Sequence, residues 1–274
     1  MKRRTLIQTT AAALAAHGCL PLLAAEKKSR KAPTKRGWGN SRNPYTKPCA
    51  IEPITGVLPT FSPATGPAMS GAFAAQYSLL AWEMAAEKSK NKPMGFMKVN
   101  FKGGTCQTVE KRDGKGSSPS CTIKTSVQFA GKKNATTTWT LESLVDGRDH
   151  VRFIEEGIWN GKRMTVKAKS FSRQYATANP LIHRWALLPL LASGRIKKAA
   201  LMFDMLDDSA LRANQTLRYE GEIDIPVKSG TASVDSYVQT GYGIVPTHYL
   251  VDKKGRVQLI TMATVNWVLT GRSG

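Results

Sequence analysis

Four cations stand where they could act together. Arg163, Lys167 and Lys169 follow one another at even spacing through the segment Arg163-Met164-Thr165-Val166-Lys167-Ala168-Lys169. In a strand, residues two apart share a face. Arg152 lies on the preceding segment, which would pair with this one across the Asn160-Gly161 turn, and Trp159 stands beside that turn. A basic stripe next to an indole suits an anionic head group above an apolar groove. The plainer alternative is a solvated strand face, the commoner fate of charged runs.

Other reactive residue types form no established pattern. Beyond His17, the histidines are His150, His183 and His248, and none sits in a ligand spacing such as His-Glu-x-x-His. His183 reads as a core histidine. His248, at a strand start after Pro246-Thr247, is a candidate ligand contact and, in an alternative reading, one half of a general acid–base pair. Glu155 and Glu156 are neighbours on a strand and so point to opposite faces, which disfavours paired-carboxylate glycoside chemistry. Asp207-Asp208-Ser209 reads as a loop. There is no Gly-x-Ser-x-Gly motif and no phosphate-loop spacing, so neither cofactor nor metal is expected. Cys106 and Cys121 flank a stretch containing Asp113-Gly114 and are expected to form a disulfide across a hairpin, leaving Cys49 over.

The chain's beginning addresses it. Lys2, Arg3 and Arg4 precede an apolar run from Ala11 to Leu23 that ends in Ala24-Ala25, so residues 1–25 read as a signal peptide. Arg3-Arg4-Thr5-Leu6-Ile7-Gln8 resembles a bacterial twin-arginine export signal, and the general secretory route is the alternative. Lipid attachment at Cys19 is less favoured, because the apolar run continues past it. The expected location is periplasmic or secreted, with a soluble mature chain.

The formal charge is +21, of which the signal carries +3 and residues 26–48 carry +7, leaving +11 on residues 49–274. Such a field attracts anionic lipid, acidic envelope polysaccharide or nucleic acid, and it also keeps an exported protein in solution. Few aromatic residues interleave with the leader's charges, so no specific nucleic-acid recognition is expected.

These residues must be positioned by elements that the hydrophobic pattern outlines. Residues 26–66 form a basic, proline-rich leader, and residues 67–274 read as one antiparallel β-rich domain. Phe73, Tyr77, Leu80 and Met84 suggest a helix over Gly71–Lys90, with a strand through Gln76–Met84 as the alternative. Short alternating runs from Met94 onward give ten or eleven strands. They are interrupted by one apolar helix opened by Asn179-Pro180, carrying Trp185 and Leu188 and stopped by Gly194. The fold class is thus mainly β (α+β): a curved antiparallel sheet or half-barrel packed on one buried helix, with an N-terminal helix. This order of elements is similar to that of periplasmic half-barrel carriers of acyl chains, a likeness of architecture that no residue motif carries.

The leading functional expectation is non-enzymatic binding of an amphiphilic or anionic, lipid-like ligand in a curved β-sheet groove. The residues expected to serve it are Arg152, Trp159, Arg163, Lys167, Lys169, Trp185 and His248. The alternatives are a hydrolase or isomerase acting on an envelope polymer, and nonspecific polyanion binding through the leader.

Overall fold

The computed structural model describes residues 63–69, 71–81, 93–114, 119–131, 134–197, 199–227, 229–262 and 265–273. The expected signal, the leader up to residue 62, Cys49 and the part of the expected first helix beyond Ala81 lie outside them.

Among the described residues, fifteen strands make one open, curved sheet. They are β1 (Phe73–Ala81), β2 (Pro93–Lys102), β3 (Thr105–Arg112), β4 (Cys121–Ala130), β5 (Ala135–Val145), β6 (Arg148–Trp159), β7 (Arg163–Ala168), β8 (Phe171–Ala176), β9 (Leu181–His183), β10 (Leu201–Asp207), β11 (Ala210–Val227), β12 (Gly230–Thr240), β13 (Thr247–Val251), β14 (Val257–Met262) and β15 (Val265–Ser273). From β1 the chain meanders outward to β8 at one edge. On the other side of β1 lie β15 back through β10, and β9 forms the far edge. Neighbouring strands are antiparallel, with the exception of β9 and β10, which run parallel.

The first strand corrects the helix expected over Gly71–Lys90. Phe73, Ala75, Tyr77 and Leu79 are buried while Gln76 is exposed, so the operative period through this segment is two. The helical reading matched Phe73, Tyr77 and Leu80. Leu80 belongs instead to a second apolar cluster, on the opposite face with Leu250, Leu259 and Val268. A strand buried on both faces mimics a helical stripe.

The helix expected from Asn179 shrinks for a similar reason. Leu181–His183 are strand, Arg184–Ala186 form a 3-10 turn, and α1 covers only Leu187–Ala192. Pro189 is the third residue of α1, where its missing N–H costs no helical bond. Gly194 then turns the chain at φ +66°. Asn179 does not cap a helix: its amide bonds Asp204, whose carboxylate also accepts the main-chain N–H groups of Ala178, Asn179 and Asn214.

Leu187, Leu188, Leu190 and Leu191 belong to one apolar cluster with Phe73, Met97, Phe203, Tyr237 and Ile260. Trp185 joins it and meets Trp267 edge-on at 5.8 Å, a contact worth about 1 kcal/mol beyond its burial. The sheet then curls further. Leu181 and Leu206 pack against Val127, Trp139, Met164 and Val166, and the His183 N–H donates to Thr136 Oγ1 at 2.8 Å. The β9 end is therefore tucked against the same face of β4 to β7 that carries the core, and β8 is left as the outer edge, as in a scroll.

The expected disulfide is absent. In the β3–β4 ladder Cys106 stands opposite Val127, whereas Cys121 stands opposite Arg112. Six rungs separate the two thiols, roughly 20 Å along a strand, while a bridge needs Cα atoms within about 7 Å. Both are free, and burial pushes the Cys106 thiol up to about 12.

Candidate functional site: a cationic groove on β6 and β7

The Asn160-Gly161 turn forms as the sequence requires. Asn160 Oδ1 accepts from the N–H groups of Lys162 and Arg163, and Gly161 takes φ +95°. Its register sets Glu156 opposite Lys167 and Ile158 opposite Thr165. One face of the pair thus carries Arg152, Ile154, Glu156 and Ile158 from β6 with Arg163 and Lys167 from β7. This is the outer face, turned away from the core. Arg152, Ile154, Glu156, Lys167, Ala168 and Lys169 line a depression of about 490 Å³ there.

Its chemistry is amphipathic. Ile154 and Ile158 are 50% and 53% exposed, an unusual state for two β-branched residues on one face of one strand. Arg152 is ion-paired with Glu142, which also meets Lys124 at 3.5 Å. Desolvation works to raise the Glu142 carboxyl, and the two cations outweigh it, holding it below the usual range. Lys167 and Lys169 extend into solvent beyond this pair. The groove can thus seat an anionic group at its lysines while Ile154 within it, and Ile158 beside it on the same face, meet an apolar stem.

Of the seven residues expected to serve one site, Arg152, Lys167 and Lys169 converge and Arg163 shares their face. Trp159 does not. It lies on the opposite face, half-buried against the Met164 cluster, with its indole N–H donating to Thr177 Oγ1 at 2.9 Å. Trp185 is in the core. His248 is on β13, buried, opposite Val238 and Thr261, and burial lowers it to about 4. It is neutral at pH 7, its Nε2 has no hydrogen-bond partner among the described residues, and the Glu220 carboxylate works against burial to raise it. The large apolar residues Phe153, Trp185, Leu188 and Tyr237 are likewise divided. The last three are buried together, while Phe153 stands at the sheet's outer part, stacked on Phe171.

Sequence reasoning missed an ionic cluster behind the core. The tight turn Asp207-Asp208, with Asp208 at φ +53°, aims both carboxylates inward. Arg184 Nη1 lies 2.9 Å from Asp207 and 3.8 Å from Asp208. Arg212 reaches Asp207 at 3.5 Å, Arg112 reaches Asp208 at 3.9 Å, and Arg112 also pairs with buried Glu110. Burial works to raise the Asp207 carboxyl, but Arg184 and Arg212 outweigh it and the net shift is downward. Asp208 moves the other way: burial raises it, and Glu110 and Asp207 add to that against Arg184. Burial also raises Glu155, whose carboxylate accepts the Trp139 indole N–H at 3.2 Å. Acids and guanidiniums neutralise one another here, which makes the cluster a clamp on the segment preceding α1.

No family model and no curated protein sequence matches the chain. Among solved structures, the fold is similar to a beta-barrel-like protein of domain of unknown function DUF1849 from Brucella abortus. The TM-score is 0.52 at 12% identity, covering 74% of this chain and 97% of that one. A DUF1089 family protein from Pseudomonas aeruginosa aligns with a TM-score of 0.40 at 6% identity, over 64% of this chain and 94% of that one. The first likeness establishes a barrel-like β architecture and nothing about ligands.

Proposed function

We propose that this is an exported, non-enzymatic binding protein that engages anionic amphiphiles through the outer face of β6 and β7. One observation carries the reading: exposed Ile154 lines a groove with Arg152, Lys167 and Lys169 around Glu156, and exposed Ile158 follows on the same face of β6. A lipid surface with anionic head groups presents the complementary pair, charge above and hydrocarbon below. Each cation near such a surface contributes about 1 kcal/mol, an attraction that salt screens. Placing the ligand on the outer face also accounts for a concave face already occupied by Trp185 and the leucines of α1. Export rests on the signal-like residues 1–25, and agrees with the availability of such lipids in a bacterial envelope.

The test is flotation of the full-length mature chain with vesicles of phosphatidylglycerol and phosphatidylcholine, against phosphatidylcholine alone. Binding to the anionic vesicles should fall about tenfold in Lys167→Glu/Lys169→Glu and should also weaken in Ile154→Ser. Equal binding by all three chains would place the attraction elsewhere and sink the proposal. Binding of soluble acidic polysaccharide that is insensitive to Ile154→Ser would replace a lipid surface by a polymer.

A further inference from the structure

The outer edge of the scroll carries a second kind of site. Among the described residues β8 is bonded to β7 alone, and the β9 end that could have closed the barrel is tucked inside. The Thr177 N–H donates to the Lys162 carbonyl at 2.9 Å, which fixes which pairs of this ladder are hydrogen-bonded. Antiparallel pairs alternate. Stepping by two from that pair, Tyr175, Arg173 and Phe171 bond to Met164, Val166 and Ala168. The main-chain groups of Ser172, Gln174 and Ala176 therefore point away from the sheet, and all three residues are exposed.

Two cations stand one strand in from that edge. Lys167 stands opposite Ser172 and Arg163 opposite Ala176, so small side chains on β8 separate each β7 cation from whatever lies beyond. We infer that the β8 edge receives an acidic, extended segment of a partner protein as an added strand. Main-chain bonds to Ser172, Gln174 and Ala176 would hold it, with acidic side chains four residues apart facing Lys167 and Arg163. Edge addition of this kind takes affinity from the main chain and specificity from alternate side chains. A second copy of this chain fits poorly, because pairing β8 with β8 brings the Lys167 and Arg163 rows of two copies together, and like charges across strands repel. The inference goes beyond the lipid reading: it uses the sheet's edge, and either can fail alone.

The experiment uses the full-length mature chain and a synthetic ten-residue peptide alternating Glu with Val or Thr, with a Lys-for-Glu peptide beside it. Amide exchange followed by NMR should slow about tenfold or more at Ser172, Gln174 and Ala176 on adding the acidic peptide. Phe171, Arg173 and Tyr175, already bonded, should be unchanged. Gln174→Pro removes the central donor, a substitution edge strands tolerate. It should weaken peptide binding about tenfold with the leader intact in both chains, and leave vesicle flotation unchanged. Peptide binding indifferent to Gln174→Pro would overturn the inference. So would protection of the same amides that rises with protein concentration alone, the mark of a second copy, or protection produced by anionic vesicles as well as by peptide.

Discussion

The two ends of this sheet are made differently. The inner end, β9, is three residues long and wholly buried. The residue that follows it, Arg184, is clamped by Asp207 and Asp208. The outer end, β8, is twice as long, and four of its six residues are exposed. On β6, two strands in, Ile154 and Ile158 face solvent. One end is spent on holding the fold, and the other leaves apolar and cationic groups with little internal work. That difference sets the proposed binding region, β6 to β8, apart from the Arg184 clamp.

Breaking the clamp should have the largest effect. Arg184→Met leaves Asp207 and Asp208 with only their longer contacts to Arg212 and Arg112 in a partly buried site, and breaking a buried network in this way costs up to about 3–5 kcal/mol. Urea unfolding of Arg184→Met should show that loss, and adding Asp207→Asn and Asp208→Asn should return much of it. A loss below about 1 kcal/mol would mean that the inner end is held by packing alone.

A pH effect comes next. Burial holds His183 at about 3 and His248 at about 4, against about 6.5 when unfolded. Both folded values are depressed. Their contribution is therefore complete above about pH 6.5 and is lost as pH falls toward 4 and then 3, at about 1.4 kcal/mol per pH unit for each histidine. Asp208 and Glu155, shifted upward, work in the opposite sense. They contribute at low pH and lose that contribution as pH rises through their folded values. The net expectation is a melting temperature that drops between pH 6.5 and 5, with the slope roughly halved in His248→Leu. An unchanged slope in that variant would mean that His248 is hydrated in solution.

The smallest effect belongs to the outer end. Lys167→Glu/Lys169→Glu should shift stability by no more than about 0.5 kcal/mol, as exposed substitutions do, while abolishing most vesicle binding. A larger destabilisation would show the lysines to be structural and erase the contrast between the two ends.

Much of this was legible in the alternation of side chains. The strands from β2 to β7 and β11 to β15 stand close to where Thr, Val and Ile alternate with polar residues between Gly or Asn turns. Period two alone places Lys167, Lys169 and Arg163 on one face. The same rule, applied to Arg152 and Trp159, puts them on opposite faces, and proximity to the turn is a poor guide beside it. Hairpin arithmetic likewise separates the cysteines, since Cys121 begins the returning strand near the tip and Cys106 begins the outgoing one at the base. What local pattern could not reveal is closure. β9 has three residues and a parallel partner reached through Arg184–Lys197, and Arg184 meets Asp207 twenty-three positions further along the chain. β8, polar and exposed, lacks the buried face that makes other strands visible.

The central claim is that the β6–β7 groove, and not the basic leader, meets the anionic surface. Hydrogen exchange of the full-length mature chain with and without phosphatidylglycerol vesicles separates them. The account predicts slowed exchange concentrated in residues 152–169. Protection confined to residues 26–48, with β6 and β7 unchanged, would contradict it.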